Sequence, residues 1–280
     1  MPRADRASER VRAVLVGIAN PNTMDALMDL AASLASYADY GVVATHVVTV
    51  PPQASLGSAR GSRQIAAARR VLVSAIRAAA DRGLSVRGVV EVAREVDEGL
   101  ISAAATQRAE LILVGHSDIE PGADRAEKSF DRIMHRVARG TRSDLIVAKF
   151  RRETVTSVLV PVGRGTNLRV TGLLAQALAA AGNAVVRFLH VVEAEAQREE
   201  RQRTIAGLLA EHGLLEVGEL EIALSDNPLA AIVERANQHD LTIVGADPRP
   251  SLAESIFGSW AERIATQAEC TVLLVRAKRS

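Results

Sequence analysis

The sequence predicts an α/β protein made of two tandem, five-stranded, doubly wound parallel domains. Three observations carry that expectation: the chain repeats itself, each half alternates strand-like and helix-like segments, and the composition suits small-residue packing. The repeat is read first, because it sets the architecture. "RAVLVGIAN" (12–20) aligns with "TSVLVPVGR" (156–164), which places Val14-Leu15-Val16 on Val158-Leu159-Val160 at an offset of 144 residues. "THVVTV" (45–50) aligns with "LHVVEA" (189–194) at the same offset, with His46 on His190. Further along the offset becomes 130: Gly83 matches Gly213, Glu91 matches Glu221, Leu111 matches Leu241 and Gly115 matches Gly245. One insertion, in the loop "PPQASLGSARGSRQ" (51–64), accounts for the difference. The chain is therefore read as a tandem duplication joined near "RRETVT" (151–156), with domains at 10–150 and 155–277.

Within the first half, β-branched apolar runs at 12–18, 42–50, 85–92, 111–115 and 144–149 read as buried strands. Ala/Leu-rich stretches of helical length lie between them, at about 23–39, 61–82, 97–109 and 124–139. Strands at 157–162, 185–193, 217–223, 241–245 and 271–275 repeat the pattern. Strands that alternate with helices over short links form a parallel sheet covered on both faces. The helix starts agree. "NPNT" (20–23) places capping side chains and a proline before one Ala/Leu run, and "SDNPLAAIVERA" (225–236) offers Asp226 or Asn227 as cap with Pro228 in the first turn.

Apolar residues make up 48% of the 280, but aromatics only 2%, so the cores must be built from Val, Leu, Ile and Ala. A net charge of +1 does not suggest nucleic-acid binding. The single cysteine, Cys270, excludes an internal disulfide and a CxxC metal site, and it reads as a small buried thiol. "MPRADRASER" lacks the apolar stretch of a signal peptide, and no apolar run approaches the ~20 residues that cross a bilayer. A soluble, cytoplasmic protein without membrane insertion is expected.

In an open parallel sheet, ligands sit beyond the C-terminal strand ends, where strand order reverses. The segments to inspect follow the first and fourth strands of each half. After the fourth strands come "GHSDIEPGADRAEKSF" (115–130) and "GADPRPSLAESIFGSW" (245–260). A glycine lets a ligand approach the backbone closely, and a following helix N-terminus attracts phosphate. Gly245 and Gly258-Ser259 fit that description, and so do ordinary turn and packing glycines. Both readings stand. Asp247 reads as a turn cap or as a ribose or metal contact. Arg164 and Arg249 flank the same cleft. His46 and His190, at equivalent strand ends, read as structural or cleft-edge histidines, and His116 lies at the first cleft's mouth. His135, His212 and His239 fall on predicted helices and read as solvent-facing. No nucleophile elbow, HExxH pair or Walker lysine occurs, so a non-enzyme is expected.

The tandem layout, the "HVV" closing the second strand, "ELILVG" and "LTIVGA" at the fourth strands and the loops after them resemble the universal stress protein family over the whole chain. The resemblance implies a Rossmann-like fold of the adenine-nucleotide α-hydrolase type. It also implies two halves joined as an intramolecular pseudo-dimer through their last strands, with a homodimer as a further possibility. ATP-binding members of the family carry Gly-x2-Gly-x9-Gly-Ser/Thr after the fourth strand. Here the second half reads Gly245, Pro248, Gly258-Ser259, and the first reads Gly115, Asp118, Lys128-Ser129. A register anchored on the last strand instead places Asp131-Arg132 at the Gly-Ser position. The resemblance thus makes Val162, Gly163, Gly245, Ala246, Asp247, Gly258 and Ser259 the candidate contacts for ATP or another adenine nucleotide, with Gly115 and Ser129 in the first half. Pro248 removes an N–H donor and fixes φ. Asp118 adds a like charge beside a phosphate. Ala19 and Gly163 stand where such members carry an aspartate. "GIANPNTMDALMDLAASLA" (17–35) is similar to stress-protein modules associated with cation antiporters and amino-acid transporters, which implies a regulatory module for such a transporter as the alternative.

Overall fold

The computed structural model describes residues 12–59, 62–116, 124–152, 154–163, 167–182, 184–246 and 257–278, with only the backbone of 58–59 and 124–129. Ten strands alternate with eight helices among them. The first half runs β1 (Ala13–Gly17), α1 (Met24–Ala38), β2 (Gly41–Thr49), α2 (Arg63–Ala80), β3 (Val86–Ala93), α3 (Val96–Thr106), β4 (Ala109–His116), α4 (Asp124–Gly140) and β5 (Asp144–Lys149). The second half repeats it with β6 (Ser157–Pro161), α5 (Leu168–Gly182), β7 (Val185–Val192), α6 (Arg198–Glu211), β8 (Gly218–Leu224), α7 (Pro228–Ala236), β9 (Leu241–Gly245), α8 (Ser259–Gln267) and β10 (Thr271–Arg276).

All ten strands share one sheet, in the order β3-β2-β1-β4-β5-β10-β9-β6-β7-β8. Each half is parallel throughout, and the single antiparallel contact joins β5 to β10. This is the expected pairing of last strands. Val147 faces Leu274, flanked symmetrically by Lys149 with Val272 and Leu145 with Arg276. A pseudo-two-fold axis therefore passes through the Val147–Leu274 pair. Pairing the two last strands leaves neither as an open sheet edge.

The apolar runs are continuous because both sheet faces are buried. On β1, Val14 and Val16 enter one core while Leu15 enters the other; on β5, Ile146 and Ala148 separate in the same way from Leu145 and Val147. Helices α1, α2, α5 and α6 cover the first face, where Met28, Leu72, Leu174 and Leu209 belong to one continuous apolar core that also holds Phe188. Helices α3, α4, α7 and α8 cover the second with Leu100, Val137, Leu229 and Ile264.

Local rules place the element ends. Asn20 accepts a hydrogen bond from the Asn22 N–H and opens a 3₁₀ turn, Pro21–Thr23, that leads into α1. Asn227, not Asp226, caps α7 through the Ala230 N–H, with Pro228 following. The third helix ends three residues before the expected 109, because Arg108 turns left-handed (φ 52°) and Ala109 already belongs to β4. The insertion after β2 lengthens both the β2–α2 connection and α2 itself, which has 18 residues against 14 in α6.

Two polar clusters hold the halves in register. The buried Asp144 accepts from Arg169 of α5 (2.6 Å) and from the Lys278 backbone N–H (2.8 Å). At the equivalent start of β10, the Thr271 hydroxyl accepts from the Arg151 and Arg152 N–H groups, both at 3.0 Å. Asp240 anchors the second half: one carboxylate oxygen accepts from the N–H and hydroxyl of Thr156 (2.9 and 2.8 Å) and from those of Ser157 (3.1 and 3.0 Å). The Thr156 N–H is the main cause that holds the Asp240 carboxyl below its ordinary value of 3.8. A depressed carboxyl stabilises the fold above its unfolded pKa, and that contribution is lost as pH falls through the folded one. Asp240→Ala is accordingly expected to cost about 1–3 kcal/mol at neutral pH. The gap to the parent protein should shrink once pH drops below about 3.8. Urea unfolding at neutral pH and at pH ~3 checks both.

Candidate functional site

In the second half, β6 and β9 are neighbours, yet β7 and β8 lie on one side of them and β10 on the other. Strand order reverses between β6 and β9, and the crevice above that point is where ligands enter such sheets. A cavity of about 500 Å³ opens there. Its floor is the end of β6 (Pro161, Val162), the end of β7 (His190) and the end of β9 (Gly245, Ala246), and Pro228 of α7 and Trp260 of α8 stand at its sides.

Each floor residue has a local reason for its place. The Val162 N–H continues the ladder to the Leu189 carbonyl at 2.7 Å. The Ala246 N–H does the same to the Val275 carbonyl at 2.7 Å. Gly163 borders open space: a Cβ there would meet nothing within 4 Å. Gly258 adopts φ 87° and ψ 153°, a conformation that side chains rarely take. It turns the chain into α8, which starts at the exposed Ser259.

Gly245 has a packing reason of its own. A Cβ on it would lie 2.9 Å from Cβ of Asn167. The Asn167 amide is committed on both sides: it donates to the Ala246 carbonyl (2.5 Å) and accepts from the Ala277 N–H (2.9 Å). The Thr171 hydroxyl donates to the Asn167 carbonyl at 3.3 Å. The bland reading of Gly245 is thus satisfied alongside its position on the cavity floor.

The histidine pair is symmetric. His46 Nδ1 lies 2.7 Å from the Ile18 carbonyl, and His190 Nδ1 lies 2.7 Å from the Val162 carbonyl. Each ring ties the second strand of its half to the residue just past the first. His190 also lines the cavity.

The first half differs. A Cβ on Gly115 would lie 2.8 Å from Thr23 Oγ1, so Thr23 occupies the place that Asn167 holds in the second half. His116 is the last residue of β4 and meets Phe130 edge-on, with centroids 4.6 Å apart. Ser129 falls inside α4, which runs unbroken from Asp124 to Gly140. Buried Met134 and Val137 match buried Ala261 and Ile264 at a spacing of 127 residues, the register in which Asp131 meets Gly258. Ala19 and Gly163 are both exposed beyond their strands. Asp118, Arg164, Asp247, Pro248 and Arg249 lie outside the described residues.

Of the other singled-out residues, Cys270 is fully buried just before β10, and burial pushes its thiol pKa up. His212 is solvent-exposed. His135 is half-buried on α4, and His239 lies beyond the end of α7 rather than on it. Burial, then Arg139 and Arg276, lower the His135 pKa. Sequence reasoning missed Asn167 and Trp260. The sequence did carry signals for both: Asn167 stands 144 residues after Thr23, and Trp260, the only tryptophan, directly follows Ser259.

A tandem, doubly wound α/β sheet with a cavity at the strand-order reversal of its second half defines a Rossmann-like class of protein. The universal stress protein family model matches residues 10–149 and again 154–276, and the chain belongs to that family. The crystal structure of a universal stress protein from Archaeoglobus fulgidus is similar over 97% of this chain and 100% of its own, at 14% identity and a TM-score of 0.68. The cytoplasmic domain of a prokaryotic cation chloride cotransporter is similar over 95% of this chain and 96% of its own, at 13% identity and a TM-score of 0.67. Among proteins of curated function, none matches the chain. No helix among the described residues is long and apolar enough to cross a membrane.

Removing the Asn167 amide leaves the Ala246 carbonyl and the Ala277 N–H without their partner. Asn167→Ala is expected to cost about 1–3 kcal/mol in denaturant unfolding.

Proposed function

We propose that the second half binds an adenine nucleotide in the cavity over β6, β7 and β9, and that the protein works as a non-catalytic sensor. The observation that carries this reading is the cavity itself. Its volume of about 500 Å³ falls within the ~300–1,000 Å³ range of small-molecule sites. It lies at the strand-order reversal, and the backbone turn at Gly258 brings the first turn of α8 to its rim. The N–H groups of a helix's first turn favour an anion, which suits a phosphate, and the Ser259 hydroxyl stands at the same turn. The apolar wall of Val244, Ile232 and Ile264 suits a purine ring. The described lining carries no carboxylate to repel a phosphate.

The equivalent positions of the first half hold Asp131 where the second has Gly258, and Thr23 beside Gly115. The second half is therefore the proposed site. Isothermal titration with ATP, ADP and AMP tests the reading. Saturable binding below millimolar concentration is expected, weakened severalfold by Ser259→Ala. No heat from any of the three at millimolar concentration rules the nucleotide out.

A second reading is a regulatory module for a membrane transporter, since the same tandem fold occurs as the cytoplasmic domain of a cotransporter. It requires co-purification with a transporter from detergent-solubilised membranes; recovery from the aqueous fraction alone, without a partner, counts against it.

A further inference from the structure

We propose that His190 is the cavity's specificity residue, and that its Nε2 accepts a hydrogen bond from the nucleoside end of the ligand rather than from its phosphates. The inference rests on the nucleotide reading above and goes one atom further. A carbonyl oxygen only accepts, so the 2.7 Å contact with Val162 O requires Nδ1 of His190 to carry the proton. In its neutral form the ring then carries a lone pair on Nε2 and nothing to donate there. Nε2 has no hydrogen-bond partner among the described residues, and the residue lines the cavity.

The other polar side chains of the described lining stand differently. The Asn167 amide is buried and tied to Ala246 and Ala277, the Thr171 hydroxyl is buried against the Asn167 carbonyl to which it donates, and the Trp260 indole can only donate.

Strand order decides which end of the ligand His190 meets. The start of α8 follows β9, while His190 sits on β7, two strands away in the order β9-β6-β7. Two inter-strand spacings are ~10 Å. A ligand whose phosphate lies at α8 thus extends its sugar and base toward His190. The donor that Nε2 requires is either an amine on the base or a hydroxyl on the ribose.

His190→Asn separates the two roles of the ring. The asparagine amide reproduces the Nδ1–H donor to Val162 O, so the strand tie survives, but nothing replaces Nε2. The probes are AMP, its 2′-deoxy analogue and purine riboside 5′-monophosphate, which lacks the exocyclic amine. Binding is read by titration calorimetry and by quenching of Trp260, the sole tryptophan. AMP should bind His190→Asn about tenfold more weakly than the parent protein. One of the two analogues should show that loss already on the parent protein and no further loss on the variant, which identifies the donor as amine or hydroxyl. His46→Asn, the same change in the first half, should leave AMP binding unaltered, and matching melting curves show that each variant is folded. Equal AMP affinity in the parent protein and in folded His190→Asn overturns the assignment while the nucleotide reading stands. Absence of AMP binding to the parent protein overturns both.

Discussion

The antiparallel pairing of β5 with β10 is the contact on which the rest of the molecule depends. Without it, each half ends in an open, wholly apolar strand, Leu145–Ala148 or Val272–Val275, both buried here. Such an edge is a template for aggregation. Joining the two removes both edges at once and merges two small sheets into one of ten strands. The pairing is fixed in register rather than merely apolar. A slip by one residue would exchange the two faces of β10 and send Leu273 and Val275 into the wrong core. The polar groups at the strand starts oppose such a slip. Asp144 fits the Lys278 N–H and Arg169, and Thr271 fits the N–H groups of Arg151 and Arg152, only in the observed alignment.

The two ends of this seam are related by symmetry but not by chemistry. A charged carboxylate at Asp144 takes a guanidinium and one N–H, whereas a neutral hydroxyl at Thr271 takes two N–H groups. Duplication made the positions equivalent, and later substitution gave each its own solution to the same problem of backbone donors at a buried strand end. The clefts show the same divergence. Thr23 and Asn167 both press against a glycine at the end of a fourth strand. Only the asparagine has an amide that can bind two backbone groups at once.

How much of this was legible in the sequence depended on the range of the interaction. The strands could be read because burial on both faces forces uninterrupted β-branched runs, as in Val14–Val16 and Ile243–Val244. Caps were legible because Asn20 and Asn227 act on N–H groups two or three residues away. The end of α3 was not, since it turns on the backbone angle of Arg108, which no residue type dictates. The register of the first-half cleft motif stayed ambiguous for a related reason. The segment between β4 and α4 differs in length from its counterpart, so counting from Gly115 leads to Ser129 and counting back from β5 leads to Asp131. Burial of Met134 and Val137 distinguishes the two counts, and burial belongs to the folded chain. Asn167 was missed because its partners, Ala246 and Ala277, lie 79 and 110 residues away and are bound through their backbones.

Those two partners also link the cavity to the seam. Asn167 Oδ1 holds the N–H of Ala277, and the next N–H in the chain, that of Lys278, is held by Asp144 of the other half. Two residues later than Asn167, Arg169 reaches the same Asp144. The cavity floor and the joint between the halves are therefore built on one short stretch at the start of α5, Asn167 to Arg169, and one short stretch beyond β10. Asn167 has little freedom to adjust, since any movement must carry Ala246, Ala277 and the seam with it. The cavity floor is consequently tied to the seam, and on the proposed reading ligand selection falls to the side chains around that floor, above all His190, whose Nε2 has no hydrogen-bond partner among the described residues.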